Sequence, residues 1–462
     1  MIMRLKLLVL GIILSFLFAA CNKDEELTFD PAVKISFSTD SILFDTVFTN
    51  IGSTSRQVKV FNTNLKAINL EHIKLSGGPS SPFSINVNGQ AAADIFNLKI
   101  NGNDSINVYI KVNINPTLEN LPFIVQDSIL FYFNGKKQSI PIVAYGQNAI
   151  FLNGETISTN TVWDSKLPYI VYKSLTVAEN TSLTINPGTK VLFHGTSTLS
   201  VKGTLTANGT VTDSILFASD RLERIYADEP AQWNGIHFYG SSKNSVINYA
   251  VIKNAIAGIT ADSLSVNANP KLLLSNTIVK NMQVVGFLGY HTTLSAFNNL
   301  FFNCGQYMIY GIGGGTYQLK QNTFGAYNFN FPRKTPAVYF SDFINAIEFS
   351  GLNIDLVNNI IWGNLEEELL IEKKSSAISV IDLRNNLIKT KLQTYAGNGN
   401  ILNVDPQFLN PRQGIFTLYS SSPVINKGLN LTTDPNYPSI LSRDLANKLR
   451  IFPSELGCYE NN

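Results

Sequence analysis

The stretch "LVNNIIWGN", residues 356–364, decides the fold, because five others share its plan. They are "VINYAVIKN" (246–254), "LLSNTIVKN" (273–281), "AFNNLFFN" (296–303), "LKQNTFGAYN" (319–328) and "LRNNLIKT" (383–390). Aligned on one position, the six place Tyr249, Asn276, Asn299, Asn322, Asn359 and Asn386 in a column, at spacings of 27, 23, 23, 37 and 27 residues. The position before it is polar throughout: Asn248, Ser275, Asn298, Gln321, Asn358 and Asn385. Two places after it every residue is apolar (Val251, Ile278, Phe301, Phe324, Ile361, Ile388), as is every residue three places before (Val246, Leu273, Ala296, Leu319, Leu356, Leu383). Units this short cannot bury an apolar side alone, so they stack and like residues fall above like. Asparagine suits the bend between two strands, since it tolerates left-handed backbone and its amide can bond the next amide along the stack. The pattern is that of a parallel β-helix. A leucine-rich horseshoe would need a fixed leucine–asparagine phrase every 20–29 residues or so, and the chain lacks it.

Flanking segments carry a resemblance. "SLTVAENTSLTINPGTKVLFHGTSTLSVKGTLTANGTVTDSILFAS" (174–219) and "WNGIHFYGSSKNSVINYAVIKNAIAGI" (233–259) resemble the opening of right-handed β-helix proteins of the pectin-lyase-like superfamily. "DPQFLNPRQGIFTLYSSSPVINKGLN" (405–430) and "RDLANKLRIFPSELGCYE" (443–460) resemble a C-terminal anchor-type segment of exported members. The resemblance implies fold and export. It does not imply one activity, because that superfamily holds lyases, hydrolases, esterases and members without known chemistry.

Before the repeats the texture differs. From Ala32 to Asn148 short alternating runs such as "VKISFS", "RQVKVFNT", "INVYIKVNI" and "SIPIVAYG" are punctuated by Asn, Gly, Ser or Pro about every ten residues, the spacing of a β-sandwich. The order of phrases resembles immunoglobulin-like modules of bacterial surface proteins, which serve as spacers or docking units. No catalytic constellation shows there, and His72 reads as a surface histidine.

The N-terminus gives an address. Arg4 and Lys6 precede an apolar run, Leu7 to Phe18, that ends in "LFAAC" (17–21). This is a secretory segment, too short to span a bilayer. Its ending resembles the lipobox of bacterial lipoproteins, which implies that Cys21 becomes the acylated first residue of the mature chain. "NKDEE" (22–26) resembles the export signal that sends some lipoproteins to the outer face of the outer membrane, so membrane attachment through lipid at the cell exterior is expected. The chain has 35 Lys+Arg and 33 Asp+Glu, and cleavage removes Arg4 and Lys6, leaving 33 of each. Such a balance offers no basic field for nucleic acid. Cys304 and Cys458 are the remaining cysteines, too few for a disulfide framework and equally readable as one bridge or two buried thiols.

Known catalytic phrases are missing. No Arg-x-Pro-x-x-Arg, no paired Asp-Asp with Gly-His-Gly, no Gly-x-Ser-x-Gly elbow and no phosphate loop occurs. The four histidines are never spaced as a metal pair, so no metal or other cofactor is expected, except calcium should the protein be a lyase. His194 reads as a strand neighbour. Two insertions break the repeat, and function tends to sit in such places. The first, "SDRLERIYADEPAQW" (219–233), supplies the catalytic candidates Asp220, Glu223, Arg224 and Asp228, together with Tyr226 as a sugar contact. The second, "NFNFPRKTPAVYFSDFINAIEFSG" (328–351), is dense in aromatics suited to stacking on pyranose faces. Its glycan-binding candidates are Phe329, Phe331, Arg333, Lys334, Tyr339 and Asp342. Asp followed by Ser or Thr and an aliphatic residue recurs with hydroxyls at Ser41, Thr46, Ser105, Ser128, Ser214 and Ser263. The phrase resembles the O-glycosylation acceptor of some exported bacterial proteins, and it also suits a turn leading into a strand.

The sequence thus describes an all-β chain with five parts. Residues 1–20 are a lipoprotein signal peptide, 21–31 an acylated cysteine and acidic linker, and 32–148 an immunoglobulin-like sandwich. Residues 149–404 are a right-handed parallel β-helix, and 405–462 its C-terminal cap or anchor-type segment. The expected function is a cell-surface binding or structural surface, foremost for polysaccharide. The alternatives are a polysaccharide lyase or glycoside hydrolase on the β-helix wall, and a protein-binding adhesin.

Overall fold

The computed structural model describes residues 25–327, 329, 332–345 and 347–461. The signal segment, Cys21 and the sugar-contact candidate Phe331 lie outside the described residues. The chain divides between Asn148 and Ala149 into two compact units.

The first unit is a sandwich of two five-stranded sheets. One orders Ser36–Phe37, Arg56–Asn62, Asp104–Val112, Phe83–Val87 and Gln90–Ala91; the other orders Ile42–Phe48, Lys136–Gln147, Phe123–Phe133, Ile68–Leu75 and Asp94–Ile100. Strict alternation builds the core. In Asp104–Val112, Ile106, Val108, Ile110 and Val112 point inward against Ile73, Ile129, Phe131 and Ile142 of the facing sheet. All pairings are antiparallel except Lys136–Gln147 on Ile42–Phe48, which run parallel. His72 is half-buried, bonded to Asp94 at 2.6 Å and stacked on Phe96.

The second unit is a three-walled parallel β-helix. Wall one is an eleven-stranded parallel sheet from Ile150–Asn153 to Ile401–Leu402. Walls two and three belong to one sixteen-stranded sheet, because the long strands Val285–Phe297 and Tyr307–Lys320 run through the corner between them. That corner bends at His291 (φ 47°) and at Gly313, Gly314 and Gly315, all with positive φ. Wall two runs from Thr156–Ile157 to Leu369–Glu372, and wall three from Thr161–Trp163 to Val380–Arg384. Inward residues stack in register. On wall one, Tyr169, Val191, Phe217, Ile252, Val279, Phe301, Phe324, Ile361 and Ile388 form one buried column.

This register corrects the alignment by one residue in its first two coils. Tyr249 and Asn276 stand above Asn298, Gln321, Asn358 and Asn385, and all six have φ between 46° and 58°. The next position holds Ala250, Thr277, Asn299, Asn322, Asn359 and Asn386, so Ile252 and Val279, not Val251 and Ile278, face the core. The doublet Asn-Asn therefore divides the two tasks that one asparagine was expected to do. The first residue supplies the left-handed bend. The second forms a buried amide ladder: the main-chain N–H and Nδ2 of Asn299 donate to Asn322 Oδ1 at 2.9 and 3.0 Å, and the same pair of bonds repeats from Asn322 to Asn359, Asn359 to Asn386 and Asn386 to Asn400. Each Nδ2 also reaches a strand carbonyl, such as Leu319 O from Asn359 at 2.8 Å. In the earlier coils Thr277 takes over: its Oγ1 accepts from Ala250 N at 3.3 Å.

The side chains of the left-handed row point outward, where the C-terminal segment lies along the flank of the helix. Asn298 Nδ2 donates to Ile440 O and Arg443 O, Asn358 exchanges two bonds with the Leu429 backbone (2.9 and 2.7 Å), Gln321 meets Ser454 Oγ, and Asn385 donates to Lys427 O. Phe408, Phe416, Leu418, Val424 and Leu456 of this strap cover Leu300, Ile360 and Leu387, the outward residues of wall one. Phe416 can lie there because Gly325 has no side chain; a Cβ would come within 2.1 Å of its ring. Cys304 and Cys458 are separate buried thiols, each pushed up to about 12 by burial.

The strap ends in a buried charge cluster. Arg450 pairs with Glu460 at 2.5 Å and reaches Gly457 O and Asn298 Oδ1, while Glu455 stands beside Glu460. Oε2 of each glutamate is buried without a hydrogen-bond partner, a setting that favours a proton on Glu460. Burial, reinforced by Glu455 and opposed by Arg450, pushes the Glu460 carboxyl up to about 9. A folded-state value above the unfolded one means that this proton stabilises the fold in full below about pH 4.5 and less as pH rises through about 9. Denaturation midpoints are therefore expected to fall between pH 5 and pH 9, and Glu460→Gln to flatten that slope. Equal slopes for the two proteins would contradict it.

Candidate functional site

Wall two presents an outward strip rich in polar and aromatic side chains among the described residues, interrupted by Leu288, Ile312 and Leu370. Two columns run along it. Strand pairing aligns Ser200, His237, Thr260, Leu288, Tyr310, Tyr339 and Leu370 in the first. Beside them stand Lys202, Tyr239, Asp262, Tyr290, Ile312, Ser341 and Glu372. At about 4.8 Å per strand the strip is roughly 29 Å long.

Its middle is aromatic. Tyr307 and Tyr310 stack with centroids 4.3 Å apart and planes 10° from parallel, and Tyr339 tilts against both at 6.0 and 5.4 Å. All three are half-buried, and Tyr290 is 38% exposed. Tyr339 donates its hydroxyl to Glu372 Oε2 at 2.5 Å. Burial is the main cause that raises the pKa of Tyr307, Tyr310 and Tyr339, with Glu372 adding to it at Tyr307 and Tyr339 and Tyr290 at Tyr310, so their hydroxyls stay protonated. Toward the first unit's end of the chain, His237 Nε2 bonds Asp262 Oδ2 at 2.8 Å and stacks on Tyr239. Ring faces, hydroxyls and a few committed charges are what sugar rings stack on and bond to.

The sequence singles out Tyr339 as a glycan-binding candidate, and it stands in this strip; Tyr290, Tyr307 and Tyr310 are not singled out there. The available signal was the 29-residue offset between Tyr310 and Tyr339, which sits outside the asparagine frame.

Other sequence-level candidates are distributed elsewhere. Arg333 and Glu368 form an ion pair at 2.6 Å with both side chains fully buried, Arg333 also holding Ala326 O and Thr335 O. Asp342 is buried too; desolvation acts to raise its pKa, but the amides of Lys374 and Ser375 and the Ser375 hydroxyl outweigh it and hold the carboxyl below its usual range. Both are thereby spent inside the fold, while Lys334 is exposed. Phe329 stacks on Tyr327 under Arg412, lining a hollow of about 360 Å³ with Asp228, Lys280 and Asn303.

The first insertion closes a separate groove of about 690 Å³ at the corner between walls one and two, lined by His194, Thr196, Asp220, Arg221, Tyr226, Glu229 and Gln232. Asp220 and Asp228 thus face different hollows. Glu223 pairs with Arg221, whose guanidinium lies 3.7 Å above the Tyr226 ring, and Arg224 opens the short turn Arg224–Tyr226. Asp228 accepts from Asn281 at 2.8 Å. His194 directly follows the strand Lys190–Phe193, and its side chain is half exposed and bonded to Asp220. No cluster of three or more metal-ligating side chains occurs among the described residues. Nor is any described helix long and apolar enough to cross a membrane.

The acceptor-type phrases place Ser214 and Ser263 at exposed positions, while Thr46, Ser105 and Ser128 lie half-buried within strands and Ser41 just before one. Asp104 and Asp127 each accept from the following main-chain N–H at 2.7 Å, Asp104 at the start of its strand and Asp127 within Phe123–Phe133.

Comparison with known proteins matches residues 142–324 to the family described as right-handed beta helix region. No curated protein matches the chain. Among solved structures, one match is a family 123 glycoside hydrolase from Clostridium perfringens, at 13% identity and a TM-score of 0.20. It covers 29% of this chain and 30% of that one, so this chain spans under a third of that structure's length. Over the matched region and in its parallel walls, the second unit is a right-handed parallel β-helix.

Proposed function

We propose that the protein is a lipid-anchored cell-surface protein that binds polysaccharide along the outer face of wall two. The observation that carries this is the cluster of half-buried rings Tyr307 and Tyr310 on one coil and Tyr339 on the next, the fifth and sixth rungs of a seven-rung strip about 29 Å long. A linear polymer can lie along the helix axis and meet successive rungs, which a compact ligand cannot. The charged side chains of the strip are engaged within it, Asp262 with His237, Glu372 with the Tyr339 hydroxyl and Lys202 over the Tyr239 ring. Its selectivity then rests on ring faces and hydroxyls. Attachment through Cys21 and the sandwich as a spacer between anchor and β-helix complete the reading.

The test uses the mature chain from residue 22, without lipid, in gels containing a panel of neutral and acidic polysaccharides. One polymer is expected to retard the protein. The double variant Tyr310→Ala, Tyr339→Ala is expected to weaken that retardation tenfold or more, since buried aromatic anchors at a binding surface cost about 2 kcal/mol or more when truncated. Retardation by no polymer, or equal retardation of the variant, would sink the reading. Following new reducing ends and unsaturated products in the same mixtures, with and without calcium, separates binding from lyase or glycosidase chemistry on this wall.

A further inference from the structure

Three consecutive coils bring Tyr172, His194 and Asp220 into one column where wall one turns toward wall two. Val171 pairs with Phe193 and Phe193 with Ser219, so the residues that follow them stack in order; His194 N donates to Val171 O and Asp220 N to Phe193 O. The Tyr172 ring stacks on the imidazole with centroids 4.3 Å apart. On its other side Asp220 Oδ2 holds His194 Nδ1 at 2.8 Å. The Asp220 side chain is only 9% exposed and its Oδ1 is buried without a partner, so His194 Nδ1 is the side-chain hydrogen-bond partner of this carboxylate. Arg221 also faces Asp220, but its guanidinium is bonded to Glu223 and stacked on Tyr226. A ring fixed by stacking and by a carboxylate on Nδ1 presents Nε2 in a set direction, and His194, half exposed, lines the groove of about 690 Å³.

We propose that His194 is a general acid–base residue positioned by Asp220, and that the groove hydrolyses an acyl ester carried by a hydroxylated, uncharged substrate such as an O-acetylated sugar. The groove's other charges argue for that class. Glycoside hydrolysis needs two carboxylates free to flank the bond, whereas of the two that line the groove Asp220 is bound to His194, which leaves Glu229 alone. Elimination from a uronate needs a cation for its carboxylate, and Arg221 is already paired. The groove then offers an oriented imidazole, with Thr196 and Glu229 on the same lining. In the reaction His194 Nε2 takes a proton from water, and the water oxygen forms a bond to the acyl carbon. The carbon–oxygen bond to the sugar then breaks, and the imidazolium returns the proton to the departing alkoxide. One water is consumed and one acid and one alcohol are formed, with no redox change.

This site is independent of the tyrosine strip, and the experiment keeps them apart. The mature chain is incubated with acetylated xylo-oligosaccharides and released acetate is measured. Release is expected from the unaltered protein and 10²–10⁴-fold less, roughly, from His194→Gln. Asp220→Asn is expected to lower kcat with KM kept, which a purely structural role would not do. Acetate release is read on short oligosaccharides, whereas the tyrosine strip is read by gel retardation on polymers, so either reading can fail without the other. Absence of acetate from the unaltered protein, or equal release by a folded His194→Gln, overturns the proposal. Should that variant fail to fold, Asp220→Asn decides: unchanged kcat overturns it as well.

Discussion

Asn359→Ala is expected to destabilise the β-helix by about 4 kcal/mol, well above the usual 0.5–3 kcal/mol or so of a point substitution. The amide it removes stands mid-ladder. Asn359 Oδ1 accepts two bonds from Asn322, and its Nδ2 donates to Leu319 O and to Asn386 Oδ1. All these residues are buried, so water cannot replace the lost partners, and each orphaned donor or acceptor costs about 1–3 kcal/mol. Asn358→Ala, one residue earlier, is expected to cost about 2 kcal/mol. It loses two bonds to Leu429 and places alanine in left-handed backbone, at roughly 1 kcal/mol. The difference is readable because Trp163, Trp233 and Trp362 all belong to the second unit, so tryptophan fluorescence in a urea titration reports the β-helix alone. Equal costs at the two positions would contradict the division of labour within the doublet.

Arg333→Met is expected to cost about 3–5 kcal/mol, because it removes one partner of a buried ion pair and leaves the other uncompensated. Glu368 would keep only the amides of Ala337 and Leu365 around a carboxyl that burial already pushes above its usual range. The paired change Arg333→Met, Glu368→Leu is expected to recover part of that loss, since two apolar side chains of similar volume need no partners while the main-chain N–H groups of Ala337 and Leu365 still lose theirs. A single variant as stable as the unaltered protein would show that the pair does not hold the second insertion. The same experiment bears on function. If Arg333 is spent inside the fold, polysaccharide retardation per folded molecule is unchanged by the double variant.

The four histidines and the insertions show why site reading from sequence went only part of the way. Tyr172, His194 and Asp220 are 22 and 26 residues apart, and Tyr310 and Tyr339 are 29 apart. None of these intervals carries a motif, because insertions between walls vary the coil length while strand pairing keeps the register. Charged residues clustered in one loop looked like a single site, yet the loop turns Asp220 and Asp228 into different hollows. The most suggestive pair of the second insertion, Arg333 and Asp342, went to internal bonding.

What the amino-acid order determined by itself was the β-helix and its corner. A repeat of apolar and asparagine positions leaves each coil unstable alone and satisfied when stacked, so periodicity is enough to read it. The alternating runs before Asn148 likewise determined a sandwich, since period-two burial has few other solutions. Tertiary structure alone decided which asparagine of the doublet bends and which is buried in the ladder. It also decided where the C-terminal strap lies, and which polar side chains meet across coils. Those outcomes depend on register between chain segments 22 to more than 140 residues apart, as in the bond from Asn298 to Arg443. Neighbours in sequence cannot encode a contact that only stacking creates.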